Sequence, residues 1–240
     1  MLEISANVMG RASSYHPTLF YNEREAVLAD AGFPGQAEAI REEIEAVVPF
    51  ERLSKVIVTH QDIDHIGGLS DLVNGARHDI EVLAGVEDKP YIEGEKPIIK
   101  MTPEFMARME SMIPPEMREQ RRQALQELFA NPPKARVNRT VTDNEIVDCC
   151  GGITIITTPG HTPGHICLYH QDTRTLVAGD AMVVTEGRLM GPSESAAYDL
   201  ELATKSLAKL AVFDIENVIC YHGGLVAEGV NERIAALAAR

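Results

Sequence analysis

A chain of 240 residues, 45% of them hydrophobic, can bury a sizeable core in one large domain or two small ones. A formal charge of −14 argues against a nucleic-acid-binding surface and against contact with an anionic membrane, although a metal-filled pocket can still attract a small anion. The N-terminus lacks the basic and apolar regions of a secretory signal and no apolar run approaches a membrane span, so a cytoplasmic location is expected. Cys149, Cys150, Cys167 and Cys220 fit neither a disulfide framework nor a zinc finger. All four read as reduced, mostly buried thiols, with Cys149 and Cys150 expected on one strand and pointing to opposite faces.

In chain order, Leu2 to Met9 is the first expected strand. Thr18 to Tyr21 and Ala26 to Asp30 read as two strands around a polar turn. Asp30-Ala31-Gly32-Phe33-Pro34-Gly35 is a tight turn, and Ala37, Ile40, Ile44, Val47 and Val48 mark one apolar helix face. Lys55 to Thr59 is a buried strand that delivers His60-Gln61-Asp62-Ile63-Asp64-His65. A helix is expected next, over Ile66, Leu69, Leu72 and Val73, ending near Asn74-Gly75. Glu81 to Ala84 is another short strand, and the βαβαβ rhythm implies α/β layers.

Residues 89–134 break that rhythm. Thr102-Pro103-Glu104 starts a helix with Phe105, Met106, Met109, Met112 and Ile113 on one face. Pro114-Pro115 ends it and begins another, with Met117, Ala124, Leu125, Leu128 and Phe129 as its apolar side. Five of the nine methionines fall between Met101 and Met117. Met-rich faces adapt to variable partners, so this insertion reads either as a lid over a site or as a hairpin packed on the core or on a second copy in a homodimer. Strands return at Glu145 to Val147, Ile153 to Thr157, Ile166 to Tyr169 and Thr175 to Ala178; after a helix through Leu200, Ala203, Leu207 and Leu210, Val218 to Tyr221 is the last expected strand and a closing helix carries Ile234, Ala235 and Leu237.

Four apolar strands end in a metal-ligand residue type followed by a turn: at His60, His161, Asp180 and His222. Loops at one end of a layered sheet are where sites are built. If these ends meet, they offer His60, Asp62, Asp64, His65, His161, Asp180 and His222, enough for two divalent ions sharing one carboxylate. The alternative is a polar turn whose histidines cap a helix or face solvent, but four ligand-type residues within six positions argue against it.

These motifs resemble those of the metallo-β-lactamase-fold hydrolases. That family carries His-x-His-x-Asp-His, Pro-Gly-His-x-x-Gly-His, Gly-Asp and a late His, matched here by His60 to His65, Pro159 to His165, Gly179-Asp180 and His222; Asp30-Ala31-Gly32 resembles its Asp-x-Gly turn. The resemblance runs from about residue 18 to the end and implies a single α/β domain over residues 1–240, an αββα four-layer sandwich with the 89–134 segment as a helical hairpin insertion. It places His60 and His161 in a first metal site, Asp64, His65 and His222 in a second, and Asp180 between them, with His165 supporting rather than ligating. It also implies a metal-bridging hydroxide as nucleophile and Asp64 as the catalytic proton carrier.

Asp62 stands where the family has its second His. An oxygen donor there still ligates zinc, but it favours manganese or iron more than imidazole does. Two divalent ions are expected, zinc first, with manganese or iron as alternatives. A chain without signal peptide, helical C-terminal domain, nucleic-acid-binding insertion or flavodoxin domain points away from the secreted lactamases, glutathione-thioester hydrolases, nucleases and flavin-dependent reductases of the family. The expected substrate is a small, moderately apolar ester, lactone or thioester. The alternative is an iron-dependent redox or sulfur-handling protein on the same scaffold, and a weaker third is a binding module with a degenerate first site. Val183 occupies the position of a tyrosine found in some lactonases, which leaves Tyr198 or Tyr221 as substitutes.

Overall fold

Strands buried on both faces send alternate side chains into different apolar layers, which dictates two sheets that share one of them. The structure, a computed structural model, describes residues 1–8, 11–113 and 118–239. A hairpin of β1 (Ile4–Val8) and β2 (Arg11–Tyr15) precedes the first sheet. That sheet comprises β3 (Thr18–Tyr21), β4 (Ala26–Ala29), β5 (Leu53–Val58), β6 (Glu81–Gly85) and β7 (Arg139–Val141), in that spatial order, antiparallel at β3–β4 and parallel from there on. The second sheet contains β8 (Ile146–Val147), β9 (Ile153–Thr157), β10 (Ile166–His170) and β11 (Thr175–Gly179). A small hairpin of β12 (Val183–Thr185) and β13 (Arg188–Met190) follows. The second sheet is completed by β14 (Asn217–Cys220), parallel to β11, and the edge strand β15 (Gly224–Val226).

Period-two alternation sorts the side chains of each strand between layers. On β5, Ile57 faces the inter-sheet cluster with Val27, Leu83, Ile155 and Leu168, while Val56 and Val58 face the outer core of the first sheet. On β10, Ile166 and Leu168 face inward and Cys167 and Tyr169 outward. The outer core of the first sheet is covered by α1 (Ala37–Glu45), which buries Ile40 and Ile44, and by α3 (Leu69–Asn74), which buries Leu69 and Leu72. That of the second is covered by α7 (Leu200–Ser206), a 3₁₀ segment over Leu207–Val212 and α8 (Val230–Ala238), which buries Val230, Ile234 and Leu237. The result is the αββα sandwich.

Several expectations change. The single helix after the metal-ligand turn is two, α2 (Ile63–Ile66) and α3, separated at Gly67-Gly68. The chain at Pro34 lies against Gly67 so closely that a Cβ there would stand 2.2 Å from Pro34 Cδ. This is a close approach that only glycine permits. Cys149 and Cys150 are not on a strand. They form a tight turn between β8 and β9, Cys150 has φ of 49°, and both thiols are buried in the inter-sheet layer. All four cysteines are free and buried. Neither the β12–β13 hairpin nor β15 was expected, and β14 is therefore not the last strand.

The 89–134 segment begins with α4 (Lys89–Ile92). Ile92, Ile98 and, just beyond it, Val137 are buried in the outer core of the first sheet, so its flanks belong to the body of the domain. The hairpin itself consists of α5 (Pro103–Met112) and α6 (Arg118–Ala130). Leu125, Leu128 and Phe129 are half-buried, but Ala124 faces solvent. Phe105, Met106, Met109, Met112, Pro114, Pro115 and Met117 lie outside the residues whose surroundings are described.

Candidate metal centre

Four strands of two sheets end at one place. β5 leads into His60 and the start of α2, where Asp62 is the N-cap residue and Asp64 and His65 lie in the helix. The turn after β9 carries His161, the bend after β11 carries Asp180, and the residue pair after β14 ends in His222. Gly179, just before Asp180, has φ of 50°, and a Cβ on it would lie 2.8 Å from His165 Nε2 and 3.0 Å from Thr59 Oγ1. A side chain at this position would push Asp180 out of place.

Six of the seven candidate donors fall into two clusters, and a third group, His60, His65 and Asp180, links them. His60, Asp62 and His161 form the first, and Asp64, His65 and His222 the second; within each, one ligand atom per residue lies within 4.8 Å of the others. Asp62 Oδ2 is 3.2 Å from His60 Nε2 and 3.1 Å from His161 Nε2. In the second cluster, Asp64 Oδ2 is 3.2 Å from His222 Nε2 and 3.8 Å from His65 Nε2. Asp180 lies between them: Oδ1 is 3.5 Å from His65, and Oδ2 is 3.4 Å from His161 and 3.2 Å from His222.

A ring of outer partners sets which nitrogen each imidazole presents. Asp30 Oδ2 is 2.8 Å from His65 Nδ1 and accepts its proton, so that Nε2, once it gives up its own proton to a metal, turns its lone pair toward Asp180. Asp30 also accepts from Thr59 N at 2.8 Å and from Thr59 Oγ1 at 2.8 Å. With its proton so committed, Thr59 Oγ1 accepts from His60 Nδ1 at 3.0 Å, and His60 likewise presents Nε2. His165 is different. Its Nε2 accepts from the backbone N–H of Asp180 at 3.1 Å and its Nδ1 bonds Thr158 Oγ1 at 2.8 Å, so both nitrogens are committed and Nε2 holds the Asp180 backbone. Asp88, fully buried, ties two ligand loops together. It accepts from Gln61 N, Gln61 Nε2, Thr162 Oγ1 and Gly164 N at 2.7–3.1 Å.

Charge explains the proton affinities. Burial disfavours the imidazolium of His60 and lowers its pKa, and burial holds His165 well below the usual range. Burial also opposes charge on His65, but Asp30, Asp64 and Asp180 outweigh it and raise the pKa well above its ordinary value. At His222 the same opposition loses to Asp180 and Asp64, which push the pKa up to about 10. For Asp62 burial favours the neutral acid, yet His60 and Lys100 hold it well below the carboxylate range; for Asp180, His222 and His65 do the same.

Lys100, Asp88 and the orienting roles of Asp30 and Thr59 were not singled out in the sequence. Lys100 Nζ reaches into the first cluster, 2.5 Å from Asp62 Oδ2 and 2.6 Å from His161 Nε2. Nothing in the local run Pro97-Ile98-Ile99-Lys100 marks it apart from the other basic residues. Of the two tyrosines considered, Tyr198 is exposed. Tyr221 is buried, its ring centroid is 3.8 Å from that of His65, and its hydroxyl donates to the backbone carbonyl of Asp64 at 2.5 Å. Tyr221 therefore braces the second cluster instead of facing outward.

The donor set fits divalent metal. His60 Nε2, His65 Nε2, Asp62 Oδ1 and Asp180 Oδ1 are buried with no hydrogen-bond partner among the described residues. Buried polar atoms at one point are costly unless a cation or donor satisfies them, and imidazole nitrogens with carboxylate oxygens are the ligands divalent ions take.

Comparisons with known proteins identify the family. The profile of the metallo-β-lactamase superfamily matches residues 13–222. The "Probable metallo-hydrolase YflN" of Bacillus subtilis strain 168 is 29% identical over 214 residues, which span 82% of this chain and 75% of that protein. The metallo-β-lactamase family protein TTHA1429 from Thermus thermophilus shares the fold with a TM-score of 0.66 at 21% identity, over 99% of this chain and 77% of that one. TTHA1623, solved in a di-iron-bound form, superimposes with a TM-score of 0.64 at 20% identity, over 98% of both chains. With its motifs gathered at one end of an αββα sandwich, the chain belongs to the metallo-β-lactamase superfamily, whose fold implies divalent metal, and its general class is metal-dependent hydrolase.

Proposed function

We propose that this protein hydrolyses a small ester, lactone or thioester in the cytoplasm, using two divalent ions, zinc by first choice, held by His60, Asp62, Asp64, His65, His161, Asp180 and His222. The observation that carries the reading is the position of Asp180, within 3.5 Å of histidines from both clusters. When bound, such ions supply Lewis acidity and a nucleophile from water at neutral pH. The chain's own groups do the rest. Thr59 and Asp30 fix the Nε2 faces of His60 and His65, and His165 holds the Asp180 backbone. Among the three carboxylates, Asp64 has the most solvent access, 19% against 12% for Asp62 and 9% for Asp180. Asp64 is therefore the carboxylate best placed to pass a proton to a leaving oxygen or sulfur. The Met-rich composition of 101–117 supports a moderately apolar acyl group and a lid role for the hairpin.

The test is a hydrolysis screen over lactones, thioesters and phosphoesters with protein whose metal content has been measured after purification without added metal. Zinc or manganese, with lactone or thioester turnover that a chelator removes and the ion restores, is the expected outcome. Iron accompanied by oxygen uptake and no hydrolysis would sink the reading in favour of redox chemistry.

A further inference from the structure

Lys100 stands where a cation of the first cluster would stand. Its Nζ bridges Asp62 Oδ2 and His161 Nε2, at 2.5 and 2.6 Å, and Asp62 Oδ2 is itself 3.2 Å from His60 Nε2. A lysine ammonium has three donors and no acceptor, so at His161 Nε2 it occupies the one lone pair that a divalent ion would take, and there the two exclude each other. Its place is built. The backbone N–H of Ile99 donates to Gln61 Oε1 at 2.9 Å, the Gln61 amide is held by Asp88, and Ile98 is buried in the outer core of the first sheet. The segment carrying Lys100 is thus pinned to the ligand turn itself. The side chain keeps 20% exposure, enough for its four-carbon stem to swing the ammonium toward solvent while Ile99 stays tied.

Charge points the same way. The two clusters and the linking Asp180 together bring three carboxylates, Asp62, Asp64 and Asp180, to one place. One divalent ion plus one ammonium neutralises three carboxylates, whereas two divalent ions do so only with an added anion. We propose that Lys100 is an internal counter-cation of the first cluster, so that the ions load in order. The Asp64–His65–His222 cluster fills first, and the His60–Asp62–His161 cluster fills only when the ammonium withdraws. This rests on the two-ion reading above and concerns which cluster is filled at limiting metal.

The experiment titrates metal-free protein with zinc alone, read by competition with a chromophoric chelator, and counts bound ions by elemental analysis after dialysis. Wild type should show two steps, the second weaker by about tenfold or more. Lys100→Met, which keeps the stem and removes the charge, should tighten the second step by about tenfold and leave the first unchanged. Lys100→Gln, which still offers Asp62 a donor, should fall between the two and guards against misfolding of the methionine variant. The metal-free Lys100→Met protein should also melt below wild type, and saturating zinc should close the gap. Two steps unchanged in both variants would overturn the role of Lys100 while leaving the two-ion reading standing. No zinc bound by wild type or variants would overturn that reading and the loading order together.

Discussion

The two ligand clusters share Asp180 but balance their negative charge in opposite ways. The first, His60, Asp62 and His161, is closed to solvent and takes its cation from elsewhere in the chain, the ammonium of Lys100. The second, Asp64, His65 and His222, has an edge open at His222, which is 35% exposed, and no lysine or arginine among its described ion pairs. It takes its positive charge from its own imidazoles, both pushed toward protonation by the carboxylates around them. Identical donor chemistry therefore reaches neutrality by a borrowed cation in one half and by bound protons in the other.

The largest effect expected is from the residue that belongs to both halves. Asp180→Ala removes the carboxylate between the clusters and should lower both metal retention and hydrolysis by about a thousandfold or more. Elemental analysis after gel filtration and turnover of the best substrate from the screen measure it. Turnover within a few-fold of wild type would defeat the shared-carboxylate arrangement altogether.

Acidity separates the halves. In the metal-free protein, His65 and His222 have raised pKa values, so their stabilising contribution is complete below the ordinary histidine value of about 6.5 and is lost as pH climbs, through about 10 for His222. Asp62 and Asp180 are depressed, so theirs is complete above the ordinary value of about 4 and is lost as pH falls below it. Zinc entering the second cluster must expel imidazole protons. Its affinity should rise about tenfold per pH unit for each proton released between roughly pH 6 and 9. His60 is held neutral by burial and contributes no such slope to the first cluster. Calorimetric titration in two buffers of different ionisation enthalpy counts the protons, and a first step that releases none contradicts the assignment of the second cluster as the earlier to fill.

What the sequence made legible follows from range. Each strand-end donor announces itself locally: an apolar run of alternating residues, then His or Asp, then a turn. The sandwich is legible for the same reason, since the near-continuous apolar runs of β5, β9 and β10, buried on both faces, are written in consecutive residues. The close approach that requires glycine at position 67 is made by Pro34, which comes from a separate turn. Lys100 lies 38 residues from Asp62 and 61 from His161, and Asp88 reaches Gly164 across 76. Such partners share no period with the motif they serve, and an ordinary lysine after two isoleucines carries no mark of its destination. Cys149 and Cys150 show the limit of periodicity in the other direction. The apolar run around them reads as a strand, but Gly151 and Gly152, both at positive φ, close a turn there.

A more local effect touches a residue that binds no metal. Asp30 sits at φ of 65°, a left-handed conformation that asparagine adopts as readily as aspartate, so Asp30→Asn leaves the backbone unstrained. In the native arrangement Oδ1 accepts from Thr59 N and Oδ2 accepts from His65 Nδ1. An asparagine that keeps its oxygen on Thr59 N must turn its amide toward His65 and donate where the carboxylate accepted. His65 Nδ1 then becomes the acceptor and its proton moves to Nε2, the atom facing Asp180 and Asp64. The lone pair that the second cluster requires is blocked, and zinc affinity at the first-filled step should fall about tenfold to a hundredfold with the fold intact. The second step, governed by His60, Asp62 and His161, should move much less, and equal losses at both steps would show that Asp30 supports the site as a whole and does not set one imidazole's tautomer.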